Sequence, residues 1–563
     1  MPIAERGTVN ITVLEQTKSV PSGTTVAECL PGLRDPKGYP YLGAIANNRL
    51  VSLDAPLSTD TQLTPVIVRH PAGASIYRRC STYLLFAAFA ELYPDRKLQI
   101  GQSMGNGYHF RVNGNGNGKD GKHEPIDLQK VTARMRRFVD EKAPFEHQVL
   151  PIELAEDLFA EKGRQDKVRL LRVWPSGLVH VVSLGEFTDI DHGPVPLDAS
   201  AIDDFELIAK EPGFILHFSS LRSPVWRGEP WTASEKLFET YNETRVWNEI
   251  LGVDTVGDLN ELCLNGGVLD IIRITEGFHE KKIARIADMI SERPDVRLVL
   301  IAGPSSSGKT TFSKRLAIQM RVNGIRPKTV SLDNYYVDRE QTPRHPDGTF
   351  DFEAVEAIDL ALFNEQLAAL LDGQEIKTPK FDFNTGLRTG PEKWQPMRLD
   401  EGEVLMIEGI HGLNDRLTES IPSNKKFRIF VSALTQLVLD SANRIPTSDA
   451  RLIRRIVRDR RYRGYSAAET IASWASVRRG ERRNIFPFQD HSDVMFNSAL
   501  VYEPAVLKVL ADRYLLEVPR DHPSAVTAHS LRKFLQLFVP IFIDDVPRGS
   551  ILREFIGGSF FHY

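Results

Sequence analysis

Residues 303–310 read Gly-Pro-Ser-Ser-Ser-Gly-Lys-Thr, directly after an apolar run from Val296 to Ala302. A helix pattern, Thr311 to Met320, follows at once. The order strand, G-x-x-x-x-G-K-[ST], helix describes a phosphate-binding loop, and each residue type has a physical reason. Gly303 and Gly308 allow backbone conformations that turn several N–H groups toward one anion, with Ser305, Ser306, Ser307 and Thr311 completing the cradle. Lys309 can reach β- and γ-phosphates, and the Thr310 hydroxyl can join a Mg²⁺ shell. The helix that starts here adds its positive end.

Working outward, a chain of 563 residues is too long for a single core, and three or four units are expected. A net charge of -4 gives no global field toward nucleic acid or membrane. Cys29, Cys80 and Cys263 lie far apart, with no paired or metal-ligand spacing, which suits a reducing compartment. Met1 to Gln16 lacks a basic segment followed by an apolar one, so no export signal is expected. The apolar runs Tyr83–Ala90 and Leu535–Ile543 fall short of the roughly 20 residues that span a bilayer. A cytoplasmic protein without membrane contact is expected.

The opening stretch alternates at Val9–Leu14, turns at Pro21-Ser22-Gly23 and continues with a helix-like Val26–Leu30 and short strand signals at Ala44–Ile45 and Val66–Val68. It reads as a small α+β domain over residues 1–70. A second α+β unit, 71–225, opens with a helix at Thr82–Leu92 and contains strand signals at Leu170–Val173 and Leu178–Val182. Within it, Gly116, Gly118 and Gly121 form a G-x-G-x-x-G after a strand-like Tyr108–Val112. No helix is expected to follow, because His123-Glu124-Pro125 breaks the pattern, so a dinucleotide site is not inferred. Residues 226–294 read as a helical bridge, with Thr232-x-x-Glu235 as a capping box and Ile283, Ile286 and Ile290 on one helical face. From 295 to 563 strands and helices alternate, the sign of a mainly parallel sheet covered by helices, with Tyr514–Val518 as a last strand candidate.

Three further features converge on the loop. Strand-like Thr329–Ser331 runs into Leu332-Asp333, and in a doubly wound sheet groups just past strand ends share one crevice. Asp333 could accept the proton of an attacking hydroxyl or hold Mg²⁺ through water; its plain alternative is a helix cap. Strand-like Val404–Ile407 runs into Glu408, a second anchor for the metal. Arg451, Arg454, Arg455 and Arg458 fall on one helical face, suited to binding phosphate oxygens or, alternatively, to a solvated surface. Arg478, Arg479, Arg482 and Arg483 form a second basic cluster with both readings open.

From about Val296 to Leu515 the chain resembles the uridine kinase/phosphoribulokinase group of P-loop kinases. The resemblance rests on GPSSSGKTT, SLDNYY from Ser331, HPDGTFDFEAVEAIDL from His345, TPKFDF from Thr378, VLMIEGIHGLN from Val404 and RRIVRDRRYRG from Arg454. It implies a P-loop kinase fold, Asp333 as general base, Thr310 and Glu408 at Mg²⁺, and Arg455 and Arg458 in a lid over the phosphates with Lys309. It also implies ATP as donor and a small hydroxyl acceptor, nucleoside-like by analogy. The departures fall on the acceptor side: Phe381 replaces a tyrosine, the stretch to Gly386 lacks a histidine, Arg344 stands where an acid precedes His-Pro, and Ser473 replaces a glutamine. Arg344 suggests an acidic or phosphorylated acceptor, with a surface role equally open.

The front of the chain resembles the amino-terminal region of threonyl-tRNA synthetase. Residues to about His70 are similar to its TGS domain. Residues Ala72 to Phe218 are similar to its second additional domain through Tyr77–Leu85, Lys97–Gly101 and Asp189–Pro194. That domain's editing histidine pair is replaced here by Arg79 and Tyr83, its cysteine by Asp191, and no histidine follows Gly193-Pro194. No editing or zinc site is expected, and His192 is read as structural. Three functions stay open at this point: a nucleoside-type kinase, a kinase of another metabolite, and an RNA-associated nucleotide switch.

Overall fold

The computed structural model describes residues 7–114, 125–218, 231, 232, 234–346, 348–383 and 385–562. The phosphate loop lies in a five-stranded sheet of order β14-β19-β13-β20-β21, every neighbouring pair parallel. Its strands are β13 Leu298–Ala302, β14 Arg326–Ser331, β19 Glu403–Glu408, β20 Lys426–Ser432 and β21 Val494–Asn497. All five residues of β13 are buried, as a strand covered on both faces requires, which is why Leu-Val-Leu-Ile-Ala reads as a continuous apolar run. Helices α9 Lys309–Val322, α10 Leu360–Leu371, α11 Thr447–Tyr462, α12 Ala467–Asn484 and α13 Glu503–Leu516 accompany the strands. Two short hairpins project between α10 and β19: β15 Ile376–Thr378 with β18 Gln395–Met397, and inside it β16 Phe381–Asp382 with β17 Leu387–Arg388. The C-terminal stretch adds α14 Ala525–Gln536 and a short α15 Arg553–Ile556.

The front of the chain is built from three further sheets. Strands β1 Thr8–Val13, β2 Gln16–Pro21, β3 Tyr41–Ala46, β4 Arg49–Val51 and β5 Thr61–Ile67 form the mixed order β2-β1-β5-β3-β4, beside the single-turn α1 Val26–Cys29. The long helix α2 Pro71–Leu92 leads to two antiparallel sheets. One, in order β11-β12-β7-β6, joins β6 Arg96–Met104, β7 Gly107–Gly114, β11 Phe205–Ala209 and β12 Phe214–Phe218. The other, in order β10-β9-β8, joins β8 Glu146–Pro151, β9 Leu178–Leu184 and β10 Phe187–Ile190. Helices α3 Leu128–Asp140, α4 Ile152–Glu161 and α5 Gln165–Leu171 complete this part. Helices α6 Glu235–Leu251 and α8 Val268–Ser291 then pack onto the parallel sheet and its helices, with α7 Val256–Leu264 against α5 and α8; Ile283, Ile286 and Ile290 share one core with Val299, Ile301 and Phe312. Among the described residues no helix is long and apolar enough to cross a membrane.

Four sequence expectations change. Leu170–Val173 is not a strand: Leu170 and Leu171 end α5, where they are buried next to α7 and its Gly257. Tyr514–Val518 is likewise the end of α13, because Leu515 continues the buried helical stripe of Val506, Leu507 and Ala511. The cap of α6 is Ser234, whose hydroxyl accepts from Leu237 N, and not Thr232. Residues 115–124 lie outside the described residues, but a helix does follow them: α3 starts at Leu128 once Pro125 is passed, with the Asp127 carboxylate on Lys130 N.

Candidate active site

Parallel strands place their C-terminal ends on one edge, and the three that lead into the expected site residues, β14, β19 and β13, are neighbours. The loop Gly303–Thr310 follows β13, Glu408 is the last residue of β19, and Asp333 sits in a 3₁₀ turn, Leu332–Tyr335, just past β14. Gly303 is needed for contact: a Cβ there would lie 2.0 Å from the Val431 carbonyl oxygen. Gly308 is needed for conformation, with φ +81, and it hands the chain into α9 at Lys309. Ser306 also takes a positive φ of 58, a strained setting for a serine. The hydroxyls of Ser306 and Ser307 are buried and find no hydrogen-bond partner among the described residues. Orphaned donors beside a helix N-terminus are what an anion seat provides.

The residues expected at a metal from the sequence meet. Thr310 Oγ1 lies 3.5 Å from Glu408 Oε1, and Ser331 Oγ donates to the same oxygen at 3.1 Å. Burial, and then the charge of Asp333, push the Glu408 carboxyl up to about 7. The Glu408 carboxylate and the Thr310 hydroxyl, with Asp333 close by, form an all-oxygen donor set that fits Mg²⁺. Lys309 is buried and donates to the Pro304 carbonyl at 3.3 Å.

Helix α11 divides its arginines into two jobs. Arg451 donates to the Ser305 carbonyl at 3.0 and 2.8 Å and is paired with Glu481; Arg454 donates to the Ser306 carbonyl at 3.3 Å and is paired with Glu503. Both are essentially inaccessible, at 1% and 0% exposure, so they brace the phosphate loop from behind rather than face a ligand. Arg455 reaches forward, its Nη1 donating to Ser305 Oγ at 2.7 Å. Arg455, Arg458 and Arg463 then share one carboxylate, Asp459, at 3.2, 2.8 and 3.9 Å. That sharing leaves positive charge in excess beside Asp333, and Arg463 lies 4.5 Å over the Phe383 ring. Of the second basic cluster, Arg478 is tied to Glu481 at 3.0 Å.

The acceptor side differs from the sequence reading. Arg344 is an exposed brace of its own loop, donating to Gly348 O at 3.0 Å, paired with Glu340 and stacked on Phe350. Ser473 is exposed on α12 and donates to Thr470 O, while Ser476 of the same helix meets His345 Nε2 at 2.9 Å. Phe381 does join a cluster with Tyr336 and Phe383. Gly386 turns the β16–β17 hairpin at φ +74, pressed against the Arg339 guanidinium. The acid that reaches the site is Glu353, which sequence reasoning missed. It is buried, its Oε2 has no hydrogen-bond partner among the described residues, and burial followed by Glu481 pushes its carboxyl up to about 7. It feels the charges of Arg455 and Lys309, and Gly480 makes room for it, since a Cβ there would lie 2.1 Å from Glu353 Cβ. The available signal was an acid in an otherwise apolar stretch, Phe352-Glu353-Ala354-Val355.

In the front half the positions that replace editing residues are held by structure. Arg79 donates to Pro194 O at 3.0 Å, Tyr83 packs edge-on against Phe145 and Phe187, and Asp191 accepts from Gly193 N at 2.8 Å. His192 meets Asp440 of the back half at 3.3 Å.

Comparison with known proteins agrees with this division. The model of the Phosphoribulokinase / Uridine kinase family matches residues 298–502. The front region matches threonine–tRNA ligases. That of Symbiobacterium thermophilum is 28% identical over 193 residues, 34% of this chain and 29% of that protein. That of Clostridioides difficile is 32% identical over 154 residues, 27% of this chain and 23% of that protein. The chain therefore spans less than a third of the length of these curated relatives. Among solved structures, D-glycerate 3-kinase from Cryptococcus neoformans var. grubii is 15% identical with a TM-score of 0.22, covering 47% of this chain and 89% of that one. The family matched in the back half supports a small-molecule kinase.

Proposed function

We propose that the protein is a Mg·ATP-dependent kinase that transfers the γ-phosphate to a hydroxyl of a small acceptor, most simply a nucleoside-like one. The observation that carries this reading is the meeting of Thr310, Ser331 and Glu408 at one strand edge, with Asp333 near enough to perturb Glu408. Thr310 and Glu408 would hold Mg²⁺, which neutralises charge on the transferring group when bound. Lys309, Arg455 and Arg458 supply fixed positive charge around the phosphates, and such preorganised charge is the main catalytic device of phosphoryl transfer. Asp333 takes the proton of the acceptor hydroxyl. Glu353 orients the acceptor through hydroxyl hydrogen bonds, and the Tyr336–Phe381–Phe383 cluster offers a flat apolar wall. Such a wall suits a ring-bearing acceptor, and it is the reason to favour a nucleoside over an open-chain sugar phosphate.

The test is ADP release by the full chain with Mg·ATP against nucleosides, sugars, sugar phosphates and other small hydroxyl compounds. Acceptor-dependent ADP release with a nucleoside is expected. ATP binding without release under any acceptor would replace the kinase by a nucleotide switch.

A further inference from the structure

The phosphate loop already holds an anion, and it belongs to this chain. Glu554, in the C-terminal α15, places Oε2 3.1 Å from Thr311 N and 2.8 Å from Thr311 Oγ1, so both groups donate to it. Thr311 lies in the first turn of α9, where the backbone N–H groups of such loops take the α- and β-phosphates of a nucleotide. The contact is built into the fold. Ile551 packs against Gly308, close enough that a Cβ on that glycine would lie 2.5 Å from Ile551 Cγ2. Phe555 lies 5.1 Å beneath the Arg454 guanidinium. Arg553 fastens the turn by donating to the carbonyls of Ile543 at 3.0 Å and Gly557 at 3.1 Å. Lys314 of α9 donates to the His562 carbonyl at 2.7 Å, so the end of the chain runs along the same helix. Ser550, Ile551, Leu552 and Phe555 are fully buried, whereas Glu554 keeps partial exposure.

We propose that Glu554 is a resident occupant of the phosphate loop which nucleotide phosphates must displace, so that the C-terminal segment sets the affinity for the donor. A carboxylate and a phosphate compete for the same N–H and O–H donors, and their like charges forbid sharing them. The packed apolar residues keep α15 in place while the side chain swings out. Apparent affinity is then the intrinsic affinity divided by the small fraction of molecules in which the seat is free.

This inference rests on the nucleotide-donor reading, and direct binding separates the two. Calorimetric Kd values for Mg·ATP are measured on the full-length protein, on Glu554→Gln and on Glu554→Ala, with melting curves to establish that each variant is folded. Both variants are expected to bind at least about tenfold more tightly, because either change removes the competing charge. Equal or weaker binding in both folded variants overturns the proposal, the weaker case meaning that Glu554 supports the loop. Failure of all three proteins to bind Mg·ATP overturns the donor reading itself.

Discussion

Buried charge is handled in opposite ways in the two halves of this molecule. Where the front half meets the back, Lys167 is inserted between its own Asp189 and Asp440 of the back half, with all three side chains at or below 1% exposure. Burial alone would raise the Asp440 carboxyl, but Lys167 and then His192 overcome it and hold that carboxyl far below the usual range. Asn443 adds hydrogen bonds to both acids at 3.0 Å. In the back half Glu408 and Glu353 are also buried, yet the nearby cations, Lys309 beside both and Arg455 beside Glu353, do not outweigh burial, and both carboxyls are pushed up to about 7. The first arrangement is satisfied and holds two units together. The second leaves buried acid uncompensated, and groups so perturbed are candidates for chemistry.

The largest effect should come from breaking the satisfied side. Lys167→Met strands two buried carboxylates, and removing one partner of a buried ion pair costs about 3–5 kcal/mol. The first transition in a calorimetric scan should move to clearly lower temperature, and adding Asp189→Asn and Asp440→Asn should recover part of the loss. An unmoved transition in the single variant would show that water already reaches the trio. The loop concerned, 433–446, leads from β20 into α11, with Ser441 hydrogen-bonded to Asp166 at 2.7 Å and Gln102 to the Thr435 carbonyl. The front half is thus fastened to the segment that carries Arg451, Arg454 and Arg455.

On the uncompensated side, Asp333→Asn keeps shape and removes the proposed proton acceptor. Turnover should fall by at least about a hundredfold, about 2.7 kcal/mol, while the Kd for Mg·ATP stays within about threefold. Full activity would reassign Asp333 to capping or structure. Unlike Lys167→Met, this variant should melt at or above the temperature of the parent, since a mutual repulsion with Glu408 is removed.

What could be read from sequence divides along the same line. The phosphate loop, Asp333 and Glu408 were legible because local order fixes them: strand, then loop or acid, then helix, repeated in a parallel sheet. The split among the α11 arginines was not legible from helical spacing, although the family resemblance already set Arg455 and Arg458 apart as a lid. Helical spacing puts Arg451 and Arg455 near one face, but only the distant Glu481 and Glu503 decide which of the four turn inward. Glu353 was hidden for the same reason, since its importance comes from Gly480 and Arg455, more than 100 positions away. Arg344, one residue before a conspicuous His-Pro, drew attention that belonged nine residues later. The misread strands at Leu170 and Tyr514 are short apolar runs at helix ends, where three or four residues carry too little periodicity to separate helix from strand.

The smallest effect, and the one that best resolves the contrast, concerns Glu353 and pH. Its carboxyl is raised in the folded protein above the ordinary value of 4.5, so the folded state holds the proton more tightly than the unfolded chain. The sign follows: this contribution to stability is complete below about 4.5 and is lost as pH rises through about 7. The metal-free protein should therefore melt progressively earlier between about pH 5 and pH 7.5. Glu353→Gln, neutral throughout, should flatten that decline; because Glu408 is raised into the same range, the slope should fall by about half rather than vanish. A slope unchanged in Glu353→Gln would mean that Glu353 is already ionised and paired, as in the front half. The same variant separates stability from use, because a group that orients the acceptor should raise the acceptor KM while leaving the ATP KM alone. If both constants stay put, the carboxyl of Glu353 serves only the packing of α12 against the loop before α10, and the acceptor is held by Arg463 and the aromatic wall instead.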